Sequence, residues 1–348
     1  MSIGTLLVRA DASASIGTGH VMRCLALAQA WQDAGGSAVF AMVKPPHSVQ
    51  ARLQSEGVEV IQISGVAATS DDSEQTSRCV AKCHPNWVVL DGYHFRADYE
   101  LSLKRAGHRL LSVDDYGHLP HHHADIILDQ NPQVPDHAYL HREANCTVLL
   151  GSRYVLLRRE FSDWLDWKRE IPNSGCRVLI TMGGSDPDNL TGHALEAVAA
   201  AQLDDLEVTV VIGGSNPHAN FLERVGQEMK GRLRLLTDAK EMAHIMSESD
   251  VAIIAAGGTL WEALFMQCAV LSYARNPVQS AIVDKLQDEE AAVSLAGGQK
   301  AQKEYVTQTL LELVRSRERR SKLSKKGREL LDGLGAERVV SALLGCSR

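Results

Sequence analysis

Residues 5–36 read TLLVRADASASIGTGHVMRCLALAQAWQDAGG, and the fold class follows from this stretch. It opens with an apolar run over residues 5–9, which is typical of a buried strand. A glycine-containing loop follows, and from residue 20 to residue 34 apolar side chains recur at helical spacing until a Gly-Gly pair ends the helix. This order of elements predicts the first unit of a parallel α/β sheet, because crossover helices bury such strands on both faces.

The same alternation of apolar runs and amphipathic stretches continues along the chain and starts afresh after residue 175. We therefore predict an α/β protein with two Rossmann-like, doubly wound domains. The predicted strands are residues 5–9, 37–43, 58–63, 86–90, 109–113, 126–129 and 147–150, then 177–182, 207–212, 232–236, 251–255 and 269–273. The clearest predicted helices are residues 20–34, 189–201, 218–229, 240–248 and 259–266.

The domain boundary is predicted in a charged, aromatic stretch that ends in the turn Pro-Asn-Ser-Gly at residues 172–175. A chain of 348 residues has room for two domains. Expected are an N-terminal domain over residues 1–155, a linker over 156–174, a C-terminal domain over 175–315 and a helical segment over 316–348. The last segment is strongly basic, which suits either a nucleic-acid arm or, as the overall charge favours, a solvated helix face.

Charge and cysteine content narrow the possible partners. Lys and Arg number 36 against 43 Asp and Glu, a net charge of −7, so no global basic field attracts nucleic acid or an anionic membrane. Any phosphate must be bound locally. Seven scattered cysteines suit a reducing compartment, and no leader or membrane-inserting run is recognised, so we expect a cytoplasmic monomer without nucleic-acid or membrane partners.

The loop before the first helix is the first candidate site. Gly17 and Gly19 allow a substrate close to the backbone, and His20 follows at the helix N-terminus, where the helix dipole favours the neutral imidazole that a general base needs. His20 could instead cap the helix or pack against a strand. Arg23, one turn further on, could reach a phosphate or be a surface residue. Met22 replaces the third glycine of a dinucleotide fingerprint, which is therefore not supported.

Two acidic segments, Asp91-Gly92-Tyr93-His94 and Asp114-Asp115-Tyr116, follow predicted strands of the same domain. The carboxyl ends of parallel strands share one edge of a sheet, so these segments should lie near His20. Their carboxylates could orient a base or hold sugar hydroxyls. Asp at a strand end is also a common turn residue.

Three glycine turns follow strands of the second domain, at residues 182–184, 213–214 and 256–258. Backbone N–H groups of such turns can cradle a diphosphate, and three of them at one sheet edge favour a nucleotide site. The structural alternatives are a plain turn with Asp186 or Ser185 as helix cap, and a capping box between Thr259 and Glu262.

Histidines do not predict a metal site. Metal binding needs a third ligand at suitable spacing, and the sequence shows none, so a wet loop and a helix face are the favoured interpretations and no metal is expected. The residues concerned are His118, His121, His122 and His123, and the pair His137 and His141.

The motifs together resemble a known family, the nucleotide-sugar hydrolases of pseudaminic acid biosynthesis, which act on UDP-2,4-diacetamido-2,4,6-trideoxy-β-L-altropyranose. Spore-coat polysaccharide proteins share the signature. The family is in turn similar to the peptidoglycan glycosyltransferase that uses UDP-N-acetylglucosamine, which implies the two-domain GT-B architecture with an interdomain cleft. The motifs are RAD (9–11), IGTGHVMRCLALA (16–28), LDGY (90–93), SVDD (112–115), MGGSD (182–186) and AGGTLWEA (256–263).

The resemblance implies that water attacks the anomeric carbon, with inversion and release of UDP, without metal or cofactor. It also implies that residues 1–155 form the sugar-binding and catalytic domain and residues 175–315 the UDP-binding domain. His20 matches the catalytic histidine. Gly183, Gly184, Gly257, Gly258 and Glu262 match the nucleotide-binding side, with Glu262 the candidate for the ribose hydroxyls. Asn276 is followed by Pro277 where relatives tend to have Gln, a departure on the sugar side. The candidate catalytic residues are His20, Asp91 and Tyr93. The candidate substrate-binding residues are Asp11, Gly17, Gly19, Arg23, Met182, Gly183, Gly184, Ser185, Gly213, Gly257, Gly258, Thr259, Glu262 and Asn276.

Two other functions stay open on the sequence alone. A glycosyltransferase of the same architecture would use a hydroxyl acceptor in place of water. A nucleotide-sugar sensor would bind the ligand without turnover.

Overall fold

The computed structural model describes residues 3–346 apart from 14–15, 136, 185, 215, 217 and 228–230. The chain divides into two compact units. Unit 1 comprises Met1–Arg159 and Leu334–Arg348, and unit 2 comprises Glu160–Gly333.

Unit 1 is built on a seven-stranded sheet in the order β3-β2-β1-β4-β5-β6-β7, and every paired strand is parallel. The strands are β1 (Thr5–Ala10), β2 (Ser37–Val43), β3 (Glu59–Ile63), β4 (Trp87–Asp91), β5 (Leu110–Val113), β6 (Ile126–Asp129) and β7 (Thr147–Leu150). Its helices are α1 (Gly19–Asp33), α2 (His47–Ser55), α3 (Ser70–Cys83), α4 (Ala97–Arg105) and α12 (Gly335–Gly345).

Alternate side chains of the central strand β1 enter two separate cores. Leu6 and Val8 pack with apolar residues of α1, α2 and α12, whereas Leu7 packs with those of α3 and α4. All three β1 side chains are fully buried. Burial on both faces explains why the strand is a continuous apolar run, as predicted for a doubly wound sheet.

Unit 2 contains a six-stranded parallel sheet in the order β10-β9-β8-β11-β12-β13. The strands are β8 (Arg177–Thr181), β9 (Glu207–Ile212), β10 (Arg232–Thr237), β11 (Val251–Ala255), β12 (Ala269–Tyr273) and β13 (Val293–Ser294). The helices are α5 (Leu190–Ala200), α6 (Ala219–Gln227), α7 (Met242–Ser247), α8 (Gly258–Phe265), α9 (Pro277–Asp288), α10 (Lys303–Arg315) and α11 (Arg317–Glu329).

The C-terminal residues are divided differently from the sequence-based boundaries. Helix α12 packs in the core of unit 1 through Val339, Val340 and Leu343, and the indole N–H of Trp87 donates to the Leu343 carbonyl at 3.1 Å. Helix α11 belongs to unit 2. The physical reason is composition: α12 has an apolar face that needs a core, whereas α11 is almost entirely polar.

The basic side chains of α11 are paired within unit 2. Arg320, 1% exposed, donates to the carbonyls of Val314 at 2.8 Å and Pro172 at 2.5 Å. Lys322 lies 2.5 Å from Glu290. These contacts explain the basic run as part of the fold. No helix in the described part of the chain combines the length and apolar character that crossing a bilayer requires.

Candidate functional site

The candidate site in unit 1 lies where the strand order changes direction. Strands β1 and β4 are neighbours, with β2 on one side and β5 on the other. The loops after parallel strands leave the same sheet edge, and the crevice at such a switch point is the usual ligand site of an open α/β sheet. The loop after β1 leads to His20, β4 ends at Asp91, and Asp115 follows β5.

His20 and Asp91 form a short contact. Nδ1 of His20 lies 2.6 Å from Oδ1 of Asp91, whose side chain is fully buried. An ionised carboxylate only accepts hydrogen bonds, so Nδ1 carries the proton that it donates. The second nitrogen, Nε2, has no partner among the described residues, and in the neutral imidazole it holds the lone pair of a general base.

Arg23 fixes the other side of the Asp91 carboxylate. Its Nε lies 2.6 Å from Oδ2 and its Nη2 lies 2.7 Å from Oδ1 of Asp91. Its Nη1 donates to Asp115 at 2.7 Å. Nη2 also comes within 3.2 Å of His20 Nδ1, but both atoms carry protons, so this approach is not a hydrogen bond. The guanidinium is therefore buried and directed at two carboxylates.

Charge in this network is strongly stabilised. Burial alone would raise the pKa of Asp91, but the charges of Arg23 and His20 and their hydrogen bonds outweigh it and hold the pKa well below its usual range. Burial opposes the charge of Arg23, yet Asp115 and Asp91 raise its pKa well above the ordinary value. Asp91 consequently stays ionised at every pH at which a histidine titrates.

Tyr93 contacts both ends of the hydrogen-bond network formed by His20, Asp91, Arg23 and Asp115. Its ring packs edge-on against the His20 ring with centroids 4.9 Å apart, and its hydroxyl donates to Asp115 at 2.5 Å. Burial, and then the charge of Asp115, raise the pKa of Tyr93, so the phenol keeps its proton. Asp115 belongs to the acidic segment 114–116 that the sequence placed near His20, although it was not among the candidate site residues.

Asp11 and Gly17 lie in the segment between β1 and α1, and each has a local structural role there. Asp11, 5% exposed, accepts from the Val43 N–H at 2.7 Å and lies 2.8 Å from the buried Arg9 guanidinium. Burial opposes its ionisation, but His94 and Arg9 outweigh it and lower the pKa of Asp11 to about 2. Asp11 thus belongs to a buried ion pair. Gly17 has φ +75°, a conformation that favours glycine. Gly19 opens helix α1.

The glycine turns of unit 2 divide into two kinds. A Cβ at Gly213 would lie 2.3 Å from the Gly184 carbonyl oxygen, so the turns after β8 and β9 pack backbone against backbone. A Cβ at Gly183, Gly257 or Gly258 would meet no described atom within 4 Å. Space of this kind beside a backbone turn is what a bound phosphate requires. Ser185 lies outside the described residues.

Helix caps decide which N–H groups remain available for an anion. The N-cap of α5 is Asn189 and not Asp186, but the buried carboxylate of Asp186 accepts from the N–H groups of Leu190 and Thr191, both at 2.9 Å, so the first two N–H groups of α5 are already occupied. Helix α8 begins at Gly258 after the N-cap Gly257, which has no side chain to cap it. The start of α8 is therefore the better candidate for binding an anion.

The structure changes two expectations about side chains that follow β11 and β12: the capping box of Thr259 and Glu262, and the role of Asn276. Thr259 lies inside α8, so the capping box with Glu262 does not form; Glu262 is 7% exposed on the same helix. The Asn276 side chain caps α9, accepting from the Gln279 N–H at 2.9 Å, with Pro277 at the first helical position. The Met182 side chain packs in the core of unit 2.

A further group lies elsewhere in unit 1. His121, His123 and Glu143 place potential metal-ligating atoms within 4.8 Å of one another. Glu143 is a third potential ligand that the sequence spacing did not reveal, because it is 20 residues from His123.

Two parallel α/β sheets, each with its glycine or acidic loops at the carboxyl edge, define a protein of the GT-B architecture. Solved structures of this class cover almost the whole chain. MurG of Acinetobacter baumannii has a TM-score of 0.64 at 16% identity, covering 98% of this chain and 99% of that one. The spinosyn rhamnosyltransferase SpnG with its aglycone has a TM-score of 0.64 at 15% identity, covering 97% and 99%. At such identities the likeness concerns the fold.

Curated relatives at 25–29% identity confirm the resemblance inferred from the motifs. The UDP-2,4-diacetamido-2,4,6-trideoxy-β-L-altropyranose hydrolase of Campylobacter jejuni is 26% identical over 280 residues, 79% of this chain and 94% of the relative. The spore coat polysaccharide biosynthesis protein SpsG of Bacillus subtilis is 29% identical over 58% of this chain and 59% of its own length. An uncharacterised protein of Methanocaldococcus jannaschii is 25% identical over 79% of this chain, which spans 56% of that relative. No family model matches the chain.

Proposed function

We propose that this chain hydrolyses a UDP-linked diacetamido-trideoxy hexose to the free sugar and UDP, with His20 as general base. The observation that carries the proposal is the His20–Asp91 contact of 2.6 Å, which presents Nε2 as a proton acceptor. The name of the Campylobacter relative, matched over 94% of its length, supports the substrate and the reaction.

In the proposed reaction a water oxygen attacks the anomeric carbon while its proton passes to Nε2 of His20. The bond between the anomeric carbon and the phosphate oxygen breaks, and UDP leaves with the electron pair. Asp91 stabilises the imidazolium that forms, and Arg23 and Asp115 keep Asp91 in place. Because a diphosphate is a good leaving group, the scheme needs no general acid. Attack opposite the leaving group gives inversion.

Unit 2 is proposed to bind UDP. The turn at Gly183 and the uncapped start of α8 at Gly258 would supply N–H donors and space for the diphosphate. Glu262 is proposed to bind the ribose hydroxyls. This division of labour is compatible with the net charge of −7, since backbone dipoles and not a basic surface would hold the phosphates.

The deciding experiment incubates the purified protein with the UDP-sugar alone and follows free sugar and UDP by NMR. Hydrolysis predicts both products, with the sugar first appearing as the opposite anomer. If products form only after a hydroxyl acceptor is added, the protein is a glycosyltransferase; if none form although UDP binds, it is a sensor.

A matched pair of variants tests the base. His20→Ala should lower turnover by about 100-fold or more with UDP affinity kept. His47→Ala is the control, because His47 is also a histidine at a helix start in unit 1, exposed and outside the network. Equal turnover of the two variants would rule out His20 as the base.

A further inference from the structure

Two loops of unit 1 are joined side by side at His122. The segments around His122 and Arg142 form a parallel bridge: the His122 N–H donates to the His141 carbonyl at 2.9 Å, and the Glu143 N–H donates to the His122 carbonyl at 3.1 Å. The His122 side chain is fully buried. In extended chain, neighbours of a buried residue point the other way, so His121 and His123 share the outer side with Glu143.

The three outward side chains already converge on one point. Oε1 of Glu143 lies 3.2 Å from Nε2 of His121 and 2.7 Å from Nδ1 of His123. Ligand atoms at about 2.0–2.1 Å from a tetrahedral zinc ion are separated by about 3.3 Å. The His121 separation already fits, and the His123 separation requires a small opening of side chains that are partly exposed.

We propose that His121 Nε2, His123 Nδ1 and a Glu143 carboxylate oxygen bind a divalent transition-metal ion such as Zn²⁺. Two imidazoles and one carboxylate are ligands that zinc prefers, whereas calcium and magnesium prefer oxygen alone. Three protein ligands leave the fourth position to water. Binding displaces the protons that the two rings otherwise donate to Glu143.

The backbone holds the ligands in place before an ion binds. The His123 N–H donates to the buried carboxylate of Glu100 at 2.6 Å, and the rings of His121 and His123 contact each other with centroids 4.6 Å apart. The side chains remain accessible, with exposed fractions of 41% for His121, 18% for His123 and 51% for Glu143. A pre-positioned and accessible ligand set loses little conformational entropy on binding.

The ion would stabilise the loop that follows Asp115. His118, in the same loop, lies 3.0 Å from Asp114, which precedes Asp115 in the sequence. An ion that ties residues 121–123 to residue 143 therefore fixes the far end of this loop. Its role is structural, and the proposed hydrolysis uses no ion at this position.

The test is titration of the chelator-treated full-length protein with Zn²⁺ by calorimetry, with Co²⁺ absorption as a second readout of a tetrahedral site. Wild type should bind one ion per chain at this site and melt at higher temperature with Zn²⁺. His121→Ala/His123→Ala should lose this ion, and Glu143→Gln should bind it about tenfold or more weakly, since even outer partners of metal ligands cost 10–100-fold.

The matched control is His244→Ala, which removes another exposed histidine paired with a glutamate, at 3.5 Å from Glu248. It should bind Zn²⁺ as wild type does. Circular dichroism of each variant without metal establishes that it folds. The proposal is wrong if the double variant retains the ion with unchanged affinity, or if wild type binds none.

Discussion

Nδ1 of His20 lies 2.6 Å from Oδ1 of Asp91, and this carboxylate receives the Arg23 guanidinium through both of its oxygens. The imidazole of His20 is therefore held by the negative charge of Asp91, which the positive charge of Arg23 compensates. Because Asp91 is fully buried, neither partner can be exchanged for water without a large cost. The pair gives His20 one orientation and one tautomer.

Asp91→Asn should lower turnover by about 10²–10⁴-fold while UDP affinity stays the same. An asparagine can present its amide hydrogen to Nδ1, which moves the ring proton to Nε2 and removes the lone pair that the base needs. Steady-state turnover and calorimetry with UDP measure the two quantities.

The control for Asp91→Asn is Asp250→Asn, another buried carboxylate bonded to an arginine, Arg177, at 2.8 Å in unit 2. Both variants remove the charge of a buried carboxylate that an arginine compensates, so both should be less stable, although Arg177 itself is 45% exposed. A comparable loss of turnover in both, measured below their melting temperatures, would show that stability and not tautomer control explains the Asp91 result.

Asp129 should make unit 1 less stable as pH rises from about 4 to 8. Burial raises the pKa of Asp129 to about 7, although hydrogen bonds from the Asn131 N–H and Tyr139 hydroxyl oppose the shift. The folded pKa exceeds the unfolded one, so the stabilising contribution is complete below the unfolded pKa and disappears as pH passes the folded pKa.

Asp129→Asn removes this titration and keeps an acceptor for Asn131. Thermal melts of wild type and variant between pH 4 and pH 8 should therefore show the variant gaining stability relative to wild type as pH rises. A constant difference across this range would contradict the raised pKa.

Much of the fold could be predicted from the sequence because buried parallel strands are nearly uniform apolar runs. The bounds of β2, β6 and β11 agree residue for residue with the predicted 37–43, 126–129 and 251–255. Strand β13 was missed, since its two residues, Val293 and Ser294, are too few for any periodicity. The division of residues 316–348 between the units could not be predicted, because it depends on which core accepts α12.

The candidate site shows the same limit at the level of side chains. The sequence places His20 and Asp91 after strands of one domain, whose carboxyl ends share a sheet edge, and this predicts their proximity; the sheet order then shows that the two strands are neighbours. It cannot show that Asp11 is directed to Arg9, or that Glu143 reaches His121 and His123, since such contacts depend on loop geometry. The order of strands and helices follows from patterns that involve many residues, whereas a contact between two side chains depends on the geometry of the loops that carry them.

Gly258→Ala should weaken UDP binding without lowering stability. The added Cβ meets no described atom within 4 Å, and alanine favours the helix by about 0.5–1 kcal/mol relative to glycine. If the diphosphate lies against this helix start, the methyl group occupies its place. Calorimetry with UDP and a thermal melt measure the two effects.

Gly345→Ala is the matched control for Gly258→Ala. Gly345 is also helical, its Cβ also meets no described atom within 4 Å, and it belongs to unit 1. It should leave UDP affinity unchanged. UDP binding by Gly258→Ala as tight as that of the control would remove the start of α8 from the proposed diphosphate site.

Glu262→Gln and Thr259→Ala separate binding from capping at α8. Since Thr259 lies inside the helix, its replacement should leave the melting temperature nearly unchanged, whereas loss of a true cap costs about 1 kcal/mol.

Glu262→Gln should weaken UDP binding by about 1–3 kcal/mol, because hydrogen bonds from ribose hydroxyls to a charged acceptor are stronger than those to an amide. The specific comparison is calorimetry with UDP against uracil-containing ligands that lack the ribose hydroxyls. Glu262→Gln should reduce the discrimination between them, and an unchanged preference for the ribose would assign Glu262 to the packing of α8 instead.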